Sequence, residues 1–347
     1  MQNNTPTSVS IIIVNWNGLA LLKKCLPSVV ETEYANLEIV IADNASSDDS
    51  VSWIEDTYPD IKIVRHPENW AFCKGNNEAI PHASGEYILL LNNDVEVTKA
   101  WLTPLVSALD ADETVAAVQP KLLQYTNRSL FEYAGGAGGF MDKYGYPFTR
   151  GRLFFTLEED KGQYDDGMEI FWATGAAVLF RRSALEKVGY LDESFYMHME
   201  EIDLCWRLKR AGYAIRVVPE SIVYHIGGAS LPYGDARKTY YNFRNSLIML
   251  YKNLPPPIWR RRFAVRAMLD GVAMLRALLT GQFKEFSAIF RAYKDAHVMS
   301  KAYENDRPQH IDKNALPSYN GSIVLDYFLR GKKMFKQLRK EGFQARP

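Results

Sequence analysis

Cysteine is scarce in this sequence, and no two cysteines have the spacing of a redox or metal motif. The chain of 347 residues contains three cysteines, Cys25, Cys73 and Cys205, which lie far apart and form no CxxC pair. An odd and dispersed set fits reduced thiols in a cytosol better than a disulfide framework. We therefore expect these side chains to act as packing residues.

Net charge and long apolar runs are also missing. Lys and Arg number 41, as do Asp and Glu, so the chain lacks the basic excess that is usual in proteins that bind phosphate backbones. No stretch reaches the ~18 apolar residues of a membrane-spanning helix, and the first residues lack the basic and apolar regions of a secretion signal. The sequence therefore argues against a nucleic-acid partner and predicts a cytoplasmic location.

Strand and helix patterns alternate through most of the chain. Strands are predicted at 10–15, 37–43, 61–65, 86–91, 115–119, 171–181 and 214–219, and helices at 19–30, 48–58, 74–83 and 99–109. This order is typical of an α/β fold, a mostly parallel sheet flanked by helices. Residues 124–170 are rich in Gly, Tyr and acids and are predicted to form an active-site insertion or a flexible loop.

Helical patterns without strands follow residue 234. We place a boundary near 230–236, which divides the chain into a domain of residues 1–235 and a helical C-terminal region of residues 236–347. In that region a basic cluster precedes an amphipathic pattern at 267–279. Two interpretations stay open: a surface that lies on anionic lipid, or a helix packed on the first domain with its arginines in water. The cluster consists of Arg260, Arg261, Arg262 and Arg266.

Polar residues follow the predicted strands at the edge where open α/β sheets bind ligands. Asp43 and Asn44 end the second strand, and the carboxylate of Asp43 could accept a hydrogen bond from a ring N–H. Asp94 ends the fourth, where one carboxylate with substrate phosphates and water is a usual site for Mg²⁺ or Mn²⁺. Capped turns are the alternative for both acids. His225 either completes the coordination or is a hydrogen-bonded structural residue.

A glycine and two amides stand at the beginning of the helix predicted at 74–83. Backbone N–H groups and the helix dipole favour an anion at such a position, so Gly75, Asn76 and Asn77 are candidates for a phosphate site. Lys74 either contacts a diphosphate or is a solvated first-turn lysine.

Three acids begin a later helix. Asp203 has Arg207 four residues ahead and is interpreted as its structural ion-pair partner. Glu200 and Glu201 remain for chemistry, and one of them could take a proton from an acceptor hydroxyl. Trp172, some thirty residues earlier, is either a platform for a sugar ring or a core tryptophan.

In this order the segments resemble family 2 glycosyltransferases of the GT-A fold, most of all the rhamnosyltransferase-type enzymes that build bacterial cell-surface polysaccharides. The resemblance covers roughly residues 8–250. It implies a GT-A domain with a C-terminal helical extension, a UDP- or dTDP-sugar donor, and a divalent cation. The implied acceptor is a glycan or lipid-linked glycan. The matching segments are Val14–Asn17, Asp43–Ser50, Asn69–Asn77, Asn92–Asp94, Thr174–Ala176, Gly189–Glu193, Glu200–Asp203 and His225.

The resemblance also implies roles for single residues. Asp43 reads uracil or thymine, and Asp94 with His225 holds Mg²⁺ or Mn²⁺ on the diphosphate. Asn92 stands where relatives often carry Asp, so Asp94 must bear more of the metal binding. Relatives usually carry Glu-Asp at the acid pair and use the second acid as base, which favours Glu201 and leaves Glu200 open. The nucleotide pocket would be lined by Asn15, Asn44, Lys74, Gly75, Asn76, Asn77 and Asn93, and the sugar or acceptor would contact Trp172 and Gly175.

The implied reaction is a single displacement that inverts the anomeric carbon, with Glu201 as general base. A non-catalytic nucleotide-sugar-binding or scaffolding subunit of the same fold is the alternative. Such a subunit need not keep Asp94, Glu201 and His225 together, and this chain has all three. A nucleotidyltransferase would show a glycine-rich N-terminal signature, which Asn15–Gly18 is not.

Overall fold

A nine-stranded mixed sheet forms the centre of the computed structural model, which describes residues 6–227, 235–338 and 342–343. The strand order is β11-β13-β6-β12-β4-β1-β2-β3, and β5 pairs with β13. The first elements are β1 (Val9–Asn15), α1 (Leu19–Val30), β2 (Leu37–Asp43), α2 (Ser50–Thr57), β3 (Lys62–Arg65), α3 (Ala71–Ala79), β4 (Tyr87–Asn92), β5 (Val95–Val97), α4 (Leu102–Asp110) and β6 (Val115–Gln124).

The later elements complete this sheet, add a small one and end in helices. They are β7 (Gly139–Met141), β8 (Pro147–Thr149), β9 (Arg152–Leu153), β10 (Thr156–Leu157), β11 (Met168–Glu169), β12 (Ala177–Arg181), α5 (Arg182–Val188), α6 (Glu200–Arg210), β13 (Ala214–His225), α7 (Ala236–Asn253), α8 (Pro256–Leu279), α9 (Phe283–Ser300) and α10 (Ile323–Phe328). Strands β1 to β4, β6 and β13 run parallel, whereas β5, β11 and β12 run antiparallel. The predicted α/β architecture with a mostly parallel sheet is confirmed.

Both faces of the sheet are covered, which explains the unbroken apolar runs of its central strands. Successive side chains of a strand point to opposite faces, so Ile12 joins one core and Ile11 and Ile13 join the other. Helices α1, α2 and α4 cover the second face, and α3, α5, α6 and α7 cover the first. Polar side chains end β1, β2 and β4 at the carboxyl edge of the sheet.

Several predicted boundaries change in the structure. Helix α1 and strand β2 have the predicted bounds, but α3 begins at Ala71 and β12 begins only at Ala177. Strand β13 extends the strand predicted at 214–219 as far as His225, through a register irregularity between Val218 and Ile222. The idea of a flexible loop at 124–170 is wrong, because this stretch forms β7 to β10 and places Phe140 in the core. Its strands of two or three residues are too short for a periodic signal.

The C-terminal helices pack against the α/β part. Leu247, Ile248 and Ile323 lie in the same core as Ile12 and Trp206. The predicted boundary at 230–236 falls largely on residues 228–234, which lie outside the described residues, and the division into two domains stays a prediction. None of the helices within the described ranges combines the length and apolar character needed to cross a bilayer.

Candidate active site

The polar ends of three parallel strands meet at the carboxyl edge of the sheet. The register pairs Asn15 with Asp43 and Val14 with Asn92. The amide Nδ2 of Asn15 lies 3.2 Å from Oδ1 of Asp43, and Nδ2 of Asn93 lies 3.2 Å from Oδ1 of Asn15. The structure thus brings Asn15, Asp43 and Asn93 together as the strand pattern predicts.

Asp43 is buried, and both of its carboxylate oxygens have partners within the chain. Oδ1 accepts from Asn15, and Oδ2 accepts from the backbone N–H of Ser46 at 3.0 Å. Beside it, Asn44 donates to the carbonyl of Ala71 at 2.9 Å, but its own Oδ1 is buried without a hydrogen-bond partner among the described residues. A buried acceptor of this kind is available to a ligand that carries a donor.

Helix α3 departs from the predicted phosphate site. Because it begins at Ala71, residues 75–77 lie in its second turn, where backbone N–H groups bond within the helix. The Asn76 amide donates to the carbonyl of Phe72, and Asn77 exchanges two hydrogen bonds with the backbone of Leu191. These amides therefore fix the chain. The first-turn N–H groups belong to residues 71–74, and that of Ala71 already donates to Oδ1 of Asn69 at 2.9 Å.

Lys74 contacts Trp70, and Gly75 lies against Asn44. The Lys74 ammonium lies 4.0 Å from the centre of the Trp70 ring. A Cβ at position 75 would come within 3.1 Å of the orphaned Oδ1 of Asn44, so glycine leaves the room that this side chain occupies. Lys74 and Gly75 thus lie near the predicted nucleotide residue Asn44, whereas the side chains of Asn76 and Asn77 bond to the backbone of the chain.

His225 lies between two buried carboxylates. Its Nε2 is 3.1 Å from Oδ1 of Asp94, and its Nδ1 is 3.3 Å from Oε1 of Glu132. The backbone N–H of Gly227 donates to Oδ2 of Asp94 at 3.2 Å. The pairing of Asp94 with His225 across 131 residues is as expected, but Glu132 was not foreseen.

The electrostatics of this cluster follow from the two carboxylates. Burial alone would lower the pKa of His225, but Glu132 and Asp94 outweigh it and raise the pKa to about 10. Burial works against ionisation of Asp94, yet the hydrogen bond and charge of His225 lower its pKa below the usual range. Without a bound cation the two carboxylates thus favour the protonated imidazole, whereas a cation on Nε2 would require the neutral one.

Asp94 and His225 supply two of the ligands that a divalent cation requires. In the parts of the chain that the structure describes, no three His, Cys, Asp or Glu side chains form a ready-made metal cluster. Adjacent ligands of an octahedral ion with bonds of ~2.1 Å are about 3.0 Å apart. Nε2 of His225 and Oδ1 of Asp94 lie 3.1 Å apart and could hold one cation between them in place of their hydrogen bond, with substrate phosphates and water as the other ligands. With Glu132 on Nδ1, His225 would be oriented as metal-bound histidines usually are.

Glu200 and Glu201 begin α6 with carboxylates that lack partners. Oε2 of each is buried without a hydrogen bond to any described residue. Burial, followed by the charge of Glu201, raises the pKa of Glu200 well above its usual value. Burial also raises the pKa of Glu201, to about 7, although nearby backbone N–H groups, including that of Gly175, oppose the shift. A carboxyl group with a pKa near 7 suits proton transfer at neutral pH.

A strained loop leads into this acid pair. Tyr196, His198 and Met199 have positive backbone φ angles of 65°, 66° and 73°, which residues other than glycine rarely adopt. The buried amide of Asn245 on α7 holds the loop by donating to the carbonyls of Phe195, Met197 and His198 at 2.9, 2.8 and 2.7 Å. The C-terminal region therefore helps to position Glu200.

Asp203 is structural, as its spacing to Arg207 predicts. Its side chain is fully buried and bonds to Nε of Arg207 at 2.9 Å, Nζ of Lys252 at 2.8 Å and Nδ2 of Asn253 at 2.7 Å. The last two partners belong to α7. Asp203 thus ties α6 to the C-terminal helices.

Trp172 belongs to the core, which corrects its assignment to a sugar platform. Its ring is buried, its Nε1 donates to the carbonyl of Phe140 at 2.8 Å, and a Cβ on Gly139 would collide with its face. Gly175, by contrast, lies beside the acid pair: a Cβ there would come within 3.8 Å of that of Glu201.

Four residues at the site escaped the sequence reasoning. Glu132 and Arg152 lie in the insertion, and Lys238 and Asn245 lie on α7. The Arg152 guanidinium lies 3.2 Å from the centre of the Tyr133 ring, and Nζ of Lys238 lies 5.3 Å from the same centre. Burial and the charge of Arg152 lower the pKa of Lys238, while Glu132 opposes the shift. No sequence motif marks these positions, because their neighbours are remote in the chain.

Comparison with known proteins now identifies the family. Residues 10–189, just over half the chain, match the model of glycosyl transferase family 2. The chain belongs to this family. It is 29% identical over 247 residues to the O-antigen biosynthesis protein RfbC of Myxococcus xanthus, a match that covers 68% of this chain and 19% of that protein. The match covers 26%, 19% and 46% of the length of the first three curated relatives, so the chain spans less than half of each of these proteins.

The chain is also similar to a curated rhamnosyltransferase and, in fold, to a solved mannosyltransferase. The N-acetylglucosaminyl-diphospho-decaprenol L-rhamnosyltransferase of Mycobacterium tuberculosis is 24% identical, with 62% of this chain and 75% of that protein covered. The mannosyltransferase PcManGT of Pyrobaculum calidifontis, solved with GDP-Man and Mn²⁺, superposes with a TM-score of 0.53 at 17% identity and covers 86% of this chain and 88% of that one. The structural match establishes the GT-A fold.

Proposed function

We propose that this family 2 protein is an inverting, metal-dependent glycosyltransferase that moves a sugar from a UDP- or dTDP-sugar to an acceptor hydroxyl. One observation carries the proposal. Glu200 and Glu201 lie side by side with unpartnered oxygens and raised pKa values. Burying two unpartnered acids side by side costs stability, and a role in proton transfer best accounts for such an arrangement.

Glu201 is the proposed base. Its pKa of about 7 lets it be ionised at neutral pH while keeping enough affinity for a proton. It would take the proton from the acceptor hydroxyl as the oxygen attacks the anomeric carbon, and the diphosphate would leave from the opposite face. Glu200 would hold the neighbouring position as a neutral acid, because two adjacent buried carboxylates do not ionise together.

The strand-edge residues are proposed to hold the nucleotide. Asp43 has lone pairs beyond those used by Asn15 and Ser46 and would accept from N3–H of uracil or thymine. Asn44 offers its orphaned Oδ1 to a donor on the nucleoside. Cytosine lacks the N3–H, so UDP and dTDP should bind better than CDP.

Asp94 and His225 are proposed to hold Mg²⁺ or Mn²⁺, with Glu132 orienting the imidazole. When bound, such an ion supplies positive charge to the departing diphosphate. Arg152 and Lys238 lie close enough to Glu132 to contribute further positive charge. The Mn²⁺ in the Pyrobaculum mannosyltransferase supports the requirement for a cation.

The acceptor is proposed to be a glycan or lipid-linked glycan of a cell-surface polysaccharide, at the inner face of the cytoplasmic membrane. The relatives named for O-antigen biosynthesis and for rhamnosyl transfer to a diphospho-decaprenol acceptor support this class. Rhamnose is the proposed donor sugar on the same ground.

A panel of nucleotide sugars tests the proposal. The purified chain should hydrolyse or be thermally stabilised by a UDP- or dTDP-sugar in the presence of Mn²⁺ or Mg²⁺, and EDTA should abolish the effect. CDP- and GDP-sugars are the matched controls. Stabilisation by a donor without turnover on any acceptor would favour the non-catalytic subunit, and equal affinities for UDP, dTDP and CDP would remove the role of Asp43.

A further inference from the structure

The second half of helix α8 turns several large apolar side chains away from the protein, whereas Trp259 and Phe263 in its first half pack against the core. Met268, Val272, Leu275 and Leu279 are each more than half exposed, as is Phe283 just after the turn into α9. Spacings of four, three and four residues place the four α8 side chains in one stripe, which we call the outer stripe. At 1.5 Å per residue the outer stripe is about 17 Å long.

The inward face of α8 is the polar one. Arg266 and Asp270 are buried and form an ion pair with 2.7 Å between Nε and Oδ2. The hydroxyls of Tyr146 and Tyr293 donate to Asp270 at 2.5 and 2.7 Å. From Arg266 onward the helix therefore packs partly through a satisfied polar network and exposes large apolar side chains, which an ordinary surface helix would turn inward. Contiguous exposed apolar surface of this kind marks an interaction site.

The surface around the outer stripe is basic. Residues 256–300 contain eight Lys and Arg and three Asp and Glu, although the whole chain is balanced. Arg260, Arg261 and Arg276 on α8 are exposed. Arg261 lies two turns before Met268 on the same face of α8. The one acid of this helix, Asp270, is buried, so its charge does not lie on this surface. On α9, Lys284, Arg291 and Lys294 are also exposed, and Asp295 accepts a hydrogen bond from Tyr240.

We propose that the outer stripe and its basic rim form a docking surface for anionic lipid, with the apolar side chains inserted at the headgroup level. An apolar face about 17 Å long that is flanked by arginines has the chemistry of an interfacial helix. A second copy of this chain would bring like charges together, which favours lipid over self-association. The proposal is independent of the catalytic roles, because none of its residues belongs to the proposed active site.

Vesicle flotation of the full chain tests this surface. The wild-type protein should bind phosphatidylcholine vesicles that contain about 30% phosphatidylglycerol more tightly than pure phosphatidylcholine vesicles. Raising NaCl from about 0.05 M to about 0.5 M should weaken the binding. A stripe variant with Val272→Ser, Leu275→Ser and Leu279→Ser, and a rim variant with Arg260→Gln, Arg261→Gln and Arg276→Gln, should each lose about tenfold or more.

The controls separate this proposal from the proposed function. Val30→Ser changes an exposed apolar residue at the end of α1 and should bind vesicles like the wild type. UDP- or dTDP-dependent thermal stabilisation should be unchanged in the stripe and rim variants, which also shows that they are folded. Wild-type protein that floats equally with neutral vesicles, or a stripe variant that floats like the wild type, would overturn the proposal. A concentration-dependent dimer that only the stripe variant abolishes, without vesicle binding, would assign the surface to a second copy instead.

Discussion

The side-chain amide of Asn245 donates to the carbonyl oxygen of His198, 2.7 Å away, and so fastens helix α7 to the loop that aims the acid pair. The same amide also reaches the carbonyls of Phe195 and Met197. A region outside the matched family segment thus controls the geometry of Glu200 and Glu201.

Asn245→Ala should therefore lower both stability and turnover. It removes the Asn245 donor from the carbonyls of Met197 and His198, while that of Phe195 keeps Arg244, and it frees a loop held at positive φ, at a cost of about 1–3 kcal/mol in the free energy of unfolding. Turnover should fall while donor affinity, measured by calorimetry with UDP, stays near that of the wild type. Asn242→Ala on the same helix is the control, and a fully active Asn245→Ala would show that the loop does not position the acids.

Asp94→Asn should abolish Mn²⁺-dependent binding of the nucleotide diphosphate while keeping the shape of the side chain. Glu132→Gln should weaken Mn²⁺ about 10- to 100-fold, because His225 loses the carboxylate that orients it. Titration calorimetry with UDP, with and without Mn²⁺, measures both effects. Asp56→Asn, on the exposed face of α2, is the control. Wild-type Mn²⁺ affinity in Asp94→Asn would show that the ion lies elsewhere.

Glu201→Gln should cut turnover by about 10²-fold or more and leave donor and metal affinity nearly unchanged, since a base acts on the acceptor. Glu200→Gln should lose less. Donor affinity and turnover measured in both variants separate the two roles. A fully active Glu201→Gln would move the base to Glu200 or end the hypothesis.

The pKa of Glu201 predicts opposite effects of pH on activity and stability. Since the base must be ionised, kcat/KM should rise as the pH increases through about 7. Stability should change the other way. The folded-state pKa is raised above the unfolded value, so the contribution of Glu201 is complete below pH 4.5 and is lost as the pH rises through about 7. At pH 8 the free energy of unfolding of Glu201→Gln should therefore exceed that of the wild type by on the order of 3 kcal/mol. Near pH 4.5 the two proteins should be equally stable. Equal pH profiles of unfolding would contradict the burial of this carboxyl.

Asp203→Asn should destabilise the fold by about 3–5 kcal/mol, because it removes the buried counter-charge of Arg207 and leaves Lys252 with Asp192 alone. Glu55→Gln, which breaks the solvent-exposed pair with Arg65, is the control and should cost under about 1 kcal/mol. Urea unfolding measures both. Similar small losses in the two variants would mean that the buried network adds little.

The sequence by itself determined the features that depend on near neighbours. Helix α1 and strand β2 follow from apolar periodicity, and the ion pair of Asp203 and Arg207 follows from helical spacing. The polar ends of the parallel strands meet at one edge because parallel strands share a direction, so the region of the site was also predictable from the pattern.

Only the tertiary structure decided which side chains face solvent and which remote residues meet. Trp172 lies in the core, Glu132 contacts His225 from the insertion, and Arg266 is buried while Leu279 is exposed. Each outcome depends on surfaces contributed by segments far away in the chain, which local periodicity does not record. The antiparallel placement of β12 between β4 and β6 has the same origin, since the pattern of a buried strand is the same in either direction.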